Sequence, residues 1–167
     1  MAFSAEFRQQ IIHFIQENPP RIAKCLQQLS EDEVWRKPNG QTNSVANLIL
    51  HLCGNIRQYA IASLGGQPDI RERDLEFSTQ GGLDKRELLL KLNSTVEEAI
   101  ATIRFVSDEE LLRTRTVQGF EYTGIGILIH VTEHFSYHVG QIALYTKLLK
   151  DQDLGFYAGL DLNVNNG

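Results

Sequence analysis

The stretch HVTEHFSYHVGQIALYTKLL, residues 130–149, places apolar side chains three and four residues apart, as an amphipathic helix requires, with two histidines four apart among them. At about 100° per residue, with His134 taken as about 0°, His138 falls at about 40°, Ile127 and Tyr145 at about 20°, Val131 and Leu149 at about 60° and Ile142 at about 80°. Both imidazoles are therefore expected on the apolar, core-facing side of this helix, with His130 at its margin. A polar ring there needs a partner, because burying one without a hydrogen bond costs on the order of a few kcal/mol. Histidines at i and i+4 present two nitrogens about one turn apart, close enough to share a divalent ion. Spacing alone leaves two readings open: a shared metal, or core histidines bonded to backbone or to a neighbouring Glu.

Thr123 caps this helix, which the pattern carries to about Lys150. Three further long helices lie upstream. Phe3, Phe7, Ile11, Phe14 and Ile15 mark the first, interrupted at Asn18-Pro19-Pro20 and resumed by Ile22, Leu26 and Leu29, with Asn18 as the expected cap. After a short capped helix at Ser30–Trp35 and the loop KPNGQT, Asn43 or Ser44 opens the second, which runs to about Leu64 before Gly65-Gly66. The capping box Asp84-Lys85-Arg86-Glu87 opens the third, to about Phe105, and Ser107 caps a further short turn. Residues 65–83 show no clear period and are expected to form a long surface connection; residues 113–121 read as extended. A C-terminal tail, 151–167, carries a docking element in Phe156-Tyr157 and a loose polar end. The expectation is an all-α single domain over residues 1–167, a four-helix bundle with short extra helices, in which the long middle connection allows a non-sequential helix order.

Composition fits that class. The chain has 167 residues, 42% hydrophobic and 22% charged, enough for a sizeable core and close to an ordinary globular protein. A formal net charge of −5 with no Lys/Arg-rich block excludes the electrostatic footprint of a nucleic-acid binder. No apolar run reaches the roughly 20 residues that span a bilayer, and the N-terminus lacks the basic and apolar stretches of a signal peptide, so no membrane partner and a cytoplasmic location are expected. Cys25 and Cys53 form no CxxC pair and are read as reduced core residues.

The second helix holds the other chemically informative residues. With His51 at about 0°, Val45, Leu48, Leu52, Ile56 and Tyr59 cluster between about 60° and 140°, Asn55 lies at about 40° and Asn47 at about −40°. His51 thus borders the buried stripe, and its polar neighbours suit a pocket wall. His13 points away from the first helix's stripe and is read as solvated. Other chemistries are excluded. No Glu is followed by His three residues later, as carboxylate-bridged di-iron bundles require, and Phe135 stands where a zinc protease's His-Glu-x-x-His places its base. There is no Gly-x-Ser-x-Gly elbow and no phosphate-cradling GxxxxGK[ST] loop.

NSVANLILHLCGNIRQY on the second helix and HFSYHVGQI on the fourth resemble the corresponding segments of the DinB/YfiT-like superfamily of helical-bundle metalloproteins, and RERDLEF at 71–77 and GFY at 155–157 are similar to one branch of it. The likeness covers nearly the whole chain. It implies an up-down-down-up four-helix bundle, commonly a homodimer, with a divalent metal, usually zinc or nickel, held by three histidines. Carried onto this sequence, the ligands are His51, His134 and His138, while His130 matches no ligand position. Three histidines leave an open position on the ion, which suits hydrolysis or thiol chemistry. Relatives include bacillithiol- and mycothiol-dependent transferases, so the resemblance implies thiol transfer with a low-molecular-weight thiol as small-molecule partner. Two readings then stand for the neighbouring polar residues: Asn55 orients a ligand or bound water and Arg71 or Arg73 pairs with a carboxylate of the thiol, or Asn55 is a helix-end contact and both arginines sit in surface salt bridges, the commoner fate of such residues. A metal-dependent hydrolase and a non-catalytic metal-binding dimer, structural or stress-sensing, are the alternatives.

Overall fold

Five of the helix starts are set by side-chain caps. In the computed structural model, which describes residues 3–165, Ser30, Ser44 and Asp84 each accept a bond from the backbone N–H three residues on, while Glu33, Asn47 and Glu87 return one to the cap residue. Ser107 and Thr123 cap through Glu110 and Gly126. The elements are α1 (Phe3–Gln16), α2 (Asn18–Gln28), α3 (Glu31–Trp35), α4 (Val45–Ile56) continuing as a π-helical segment (Arg57–Leu64), α5 (Arg73–Ser78), α6 (Lys85–Phe105), α7 (Asp108–Leu112), strands β1 (Thr114–Val117) and β2 (Phe120–Thr123), and α8 (Gly124–Lys150). The architecture is all-α, a four-helix bundle with short extra helices and, among the described residues, one antiparallel hairpin. Val117 and Phe120 close that hairpin across Gln118-Gly119, both at positive φ, the geometry of a tight two-residue turn.

Four long units make the bundle: α1 with α2, α4 with its π-helical segment, α6, and α8. The first packs on α6 and α8, and so does the second, so that the first two units in the chain are not neighbours. The connection between the second and third units explains how. It runs back along α4: Gln58 meets Asp69, His51 meets Glu76, Asn47 bonds the carbonyls of Glu76 and Thr79, and Trp35 bonds the carbonyl of Leu83. The third unit therefore starts at the end where α4 starts and points the same way. A helix of α6's length spans about 32 Å, and the roughly 20 residues of connection reach that far with slack to spare for α5.

Several local expectations are corrected. Asn18 does not cap α2; Glu17 holds that place, and Asn18 is buried with its amide donating to the carbonyl of Phe14. The connection contains a helix, α5, invisible to periodicity because only Glu76 on it is buried. On α8 the buried residues are Gly124, Ile127, Leu128, Val131, Phe135, Val139, Ile142 and Thr146, so the core direction centres on Phe135, which is fully buried. His134 and His138 lie at the border of that stripe, half-buried, rather than at its middle. Cys25 and Cys53 are both buried and unpaired, and burial pushes the Cys53 thiol up to about 11. In the tail, Leu154 is buried and Phe156 packs against the core; the last two residues of the expected loose end lie outside the described residues.

Candidate metal centre

Two helices bring three imidazoles to one point. His51, buried in the middle of α4, places its Nε2 3.1 Å from Nε2 of His134 on α8, and His138, one turn on, places its Nε2 3.2 Å from the same atom. The potential ligand atoms of the three all lie within 4.8 Å of one another. A shared ion about 2.0–2.1 Å from each nitrogen sets them roughly 3.3 Å apart in a tetrahedral site. Two of the separations, 3.1 and 3.2 Å, already lie close to that value.

The outer nitrogens decide which way the lone pairs face. Glu76 accepts from His51 at 2.8 Å through Nδ1, and the same carboxylate takes two bonds from Arg71, 2.7 Å from Nε and 2.8 Å from Nη2. Burial raises the Glu76 pKa, but the bonds from Arg71 and His51 outweigh it and hold the carboxyl below its usual range. An ionised carboxylate only accepts, so His51 carries its proton on Nδ1 and turns the Nε2 lone pair inward. His138 is set similarly, with Nδ1 2.7 Å from Gln141 Oε1. His134 differs: its Nδ1 is buried with no partner among the described residues. Burial, then the neighbouring His138 and His51, push His134 down to about 3, and burial lowers His138 and His130 as well. Imidazole nitrogens gathered in this way are a donor set that binds zinc and nickel, so the residues present fit a divalent ion.

Each remaining candidate has a definite place. Asn55, one turn beyond His51, is buried; its Nδ2 lies 3.3 Å from Nε2 of His130, and its carbonyl oxygen has no partner among the described residues. His130 also lies against the Tyr59 ring, 4.3 Å between centroids. Arg73 is exposed, its guanidinium 4.9 Å from the centre of the Phe77 ring, which in turn lies 4.8 Å from the His51 ring. Arg71 is not free to pair with a ligand carboxylate: its side chain is 2% exposed and its donors go to Glu76 and Gln58. His13 is exposed, beside Glu17.

Glu76, Arg71 in its actual role, Gln141 and Gly54 were not found from sequence as site residues. Gly54 is needed because a Cβ there would lie 1.8 Å from Glu76 Oε1; only a hydrogen lets the carboxylate reach His51 past α4. The one signal in the sequence was RERDLEF itself, where Glu76 is one of five charged residues in seven.

A family described as protein of unknown function (DUF1572) has a model that matches residues 2–158. No curated protein matches the chain. Among solved structures, a DinB-like protein from Bacillus subtilis, YjoA, is similar with a TM-score of 0.67 over 89% of this chain and 96% of that one, at 20% identity, a likeness of fold.

Proposed function

The chain belongs to the family described as protein of unknown function (DUF1572), one of the DinB-like families, and from that premise we propose that it is a metal-dependent thiol transferase whose ion, zinc or nickel, is held by His51, His134 and His138. The convergence of three imidazole Nε2 atoms supports the reading above any other observation. When bound, a divalent ion with a free position supplies Lewis acidity, lowering the pKa of a thiol or water that occupies it.

The chain's own residues account for the rest. Glu76 and Arg71 fix the His51 ring and its tautomer, and Gln141 does the same for His138. Asn55 offers a buried carbonyl to a donor group on a ligand, and Arg73 with Phe77 flanks His51 on the outer side. Thiol transfer is favoured over hydrolysis by the state of Glu76. It is committed to Arg71 and His51 and so is unavailable as a base for water, whereas a thiol brings its own ionisable nucleophile. That thiol is exogenous, a low-molecular-weight one such as bacillithiol or mycothiol, because both cysteines are buried and Cys53 is held up near 11. The sulfur displaces a leaving group from an electrophilic carbon, one C–S bond forming as one carbon–leaving-group bond breaks, and the S–H proton leaves with the departing anion. We place the protein in the cytoplasm as a homodimer; no helix among the described residues is long and apolar enough to cross a membrane.

The test is direct. Elemental analysis and titration with zinc and nickel should give one ion per chain, abolished in His51→Ala. Loaded protein should conjugate bacillithiol or mycothiol to monochlorobimane faster than thiol alone. Absence of metal binding at micromolar concentrations sinks the reading. Tight binding without turnover, with thermal stability lost on chelation, instead selects a non-catalytic metal-binding bundle.

A further inference from the structure

One groove beside the centre contains no charge. It runs along the seam between the start of α4 and the end of α8, with a volume of about 540 Å³, inside the roughly 300–1,000 Å³ range of ligand pockets. Val45 and Leu48 form its buried floor; Leu144 and Leu148 stand on its wall at 60% and 74% exposure. Gln141 and Tyr145 complete that wall, and the 38–43 loop closes the far side with neutral residues. Four other grooves among the described residues present charged side chains: Arg57 and Lys91 in one, Glu17 and Arg21 in another, Glu31 and Asp32 in a third, Lys147 and Asp153 in a fourth.

Its position ties it to the histidines. Leu48 lies three residues before His51 on α4 and Gln141 three residues after His138 on α8, so the groove begins about one helical turn, about 5 Å, from the ligating rings. Gln141 belongs to both, lining the groove while accepting from His138. From Gln141 to Leu148 the wall extends about 10 Å, the length of a chain of roughly eight carbons.

We propose that this groove seats the uncharged, apolar part of a small-molecule substrate whose reacting end lies at the three-histidine centre. This rests on the function proposed above and narrows it: the electrophile carries a hydrocarbon group, while the polar, charged thiol approaches from elsewhere. Exposed leucines over a buried apolar floor are what a hydrocarbon chain can cover, and with no ionic group in the lining a charged ligand gains nothing there. A second copy of the chain is the competing occupant.

Two ligand series separate the groove from the metal. Zinc-loaded protein is titrated calorimetrically with n-alkyl hydroxamates, from acetohydroxamate to octanohydroxamate, and with 1-alkanols of the same lengths, which need no metal. Affinity should rise about two- to fourfold per methylene in both series, levelling off near eight carbons. Leu144→Glu and Leu148→Glu, both at exposed positions, should flatten that rise while leaving acetohydroxamate binding unchanged. Equal affinity at all lengths overturns the groove, and so does a rise that both variants leave intact. Conversion of a dimer to a monomer by Leu148→Glu, with no chain-length effect, assigns the face to a second copy. If acetohydroxamate binds no better than ethanol the metal reading fails, while the alkanol slope still reports on the groove.

Discussion

The two walls of the histidine centre are finished to different degrees. On the α4 side, His51 is bonded to Glu76, Glu76 is bonded twice by Arg71, and Arg71 is bonded to Gln58. The ring's Nδ1, the carboxylate and the guanidinium are all paired, inside a shell of low exposure. On the α8 side, His138 has one partner, Gln141, at the surface, while His134 Nδ1 is buried with none among the described residues. The first wall is pre-organised before anything binds. The second is where a ligand still has bonds to make. A ring supported by carboxylate holds its tautomer and gains basicity, so His51 acts as the fixed reference against which the α8 rings adjust.

Experiments that remove the support from α4 should have the largest effect. Glu76→Ala leaves the buried Arg71 guanidinium uncompensated, and breaking a buried pair in this way costs about 3–5 kcal/mol; urea denaturation of the metal-free protein should show it, with zinc affinity about 10–100-fold weaker. Stability unchanged by that substitution would mean the two walls do not differ as described. Gly54→Ala should follow, since its methyl group evicts Glu76 from its seat. Zinc binding about tenfold weaker or worse is expected, with Arg71 still paired if the carboxylate finds a new position.

A smaller effect comes from pH and reports on α8. His134 is pushed down to about 3, first by burial, from an unfolded value of about 6.5. A depressed pKa contributes stability above the unfolded value and loses it as pH falls through the window down to the folded one. Metal-free protein should thus melt at progressively lower temperature from pH 7 to pH 4, and His134→Phe should flatten the slope. A steeper slope in that variant would assign the proton uptake elsewhere. The smallest effect is expected from Gln141→Ala: zinc affinity reduced by up to about tenfold with no measurable change in stability, because Gln141 is exposed.

What could be read from the sequence follows the range of the interactions. Caps at Ser30, Ser44, Asp84, Ser107 and Thr123 are written within three residues, so the helices were legible almost to their ends. The π-helical continuation of α4 was not. Tyr59, Ala60, Ile61, Ala62 and Leu64 are all buried, leaving no period for a widened turn to disturb, and the bond from Gly65 N–H to the carbonyl of Ala60 is visible only in the fold. His51, His134 and His138 stood out because helix geometry and the resemblance pointed to the same three rings. The carboxylate behind His51 did not, since it arrives from 25 residues away on a short helix with a single buried side chain. Phe135 was marked only as a missing base, when its fully buried ring sets the direction of the whole helix.

The close approach at Gly54 also makes two distant letters of the sequence interdependent. Glu76 can stand behind the ring only where position 54 has no side chain, so the pair Gly54 and Glu76, 22 residues apart, works as a written signature of a buttressed histidine. In any related chain, a larger residue at the equivalent of 54 announces that the carboxylate sits elsewhere and that its histidine stands unsupported. One hydrogen atom on α4 thereby sorts such chains, by their sequences alone, into those with a braced centre and those without.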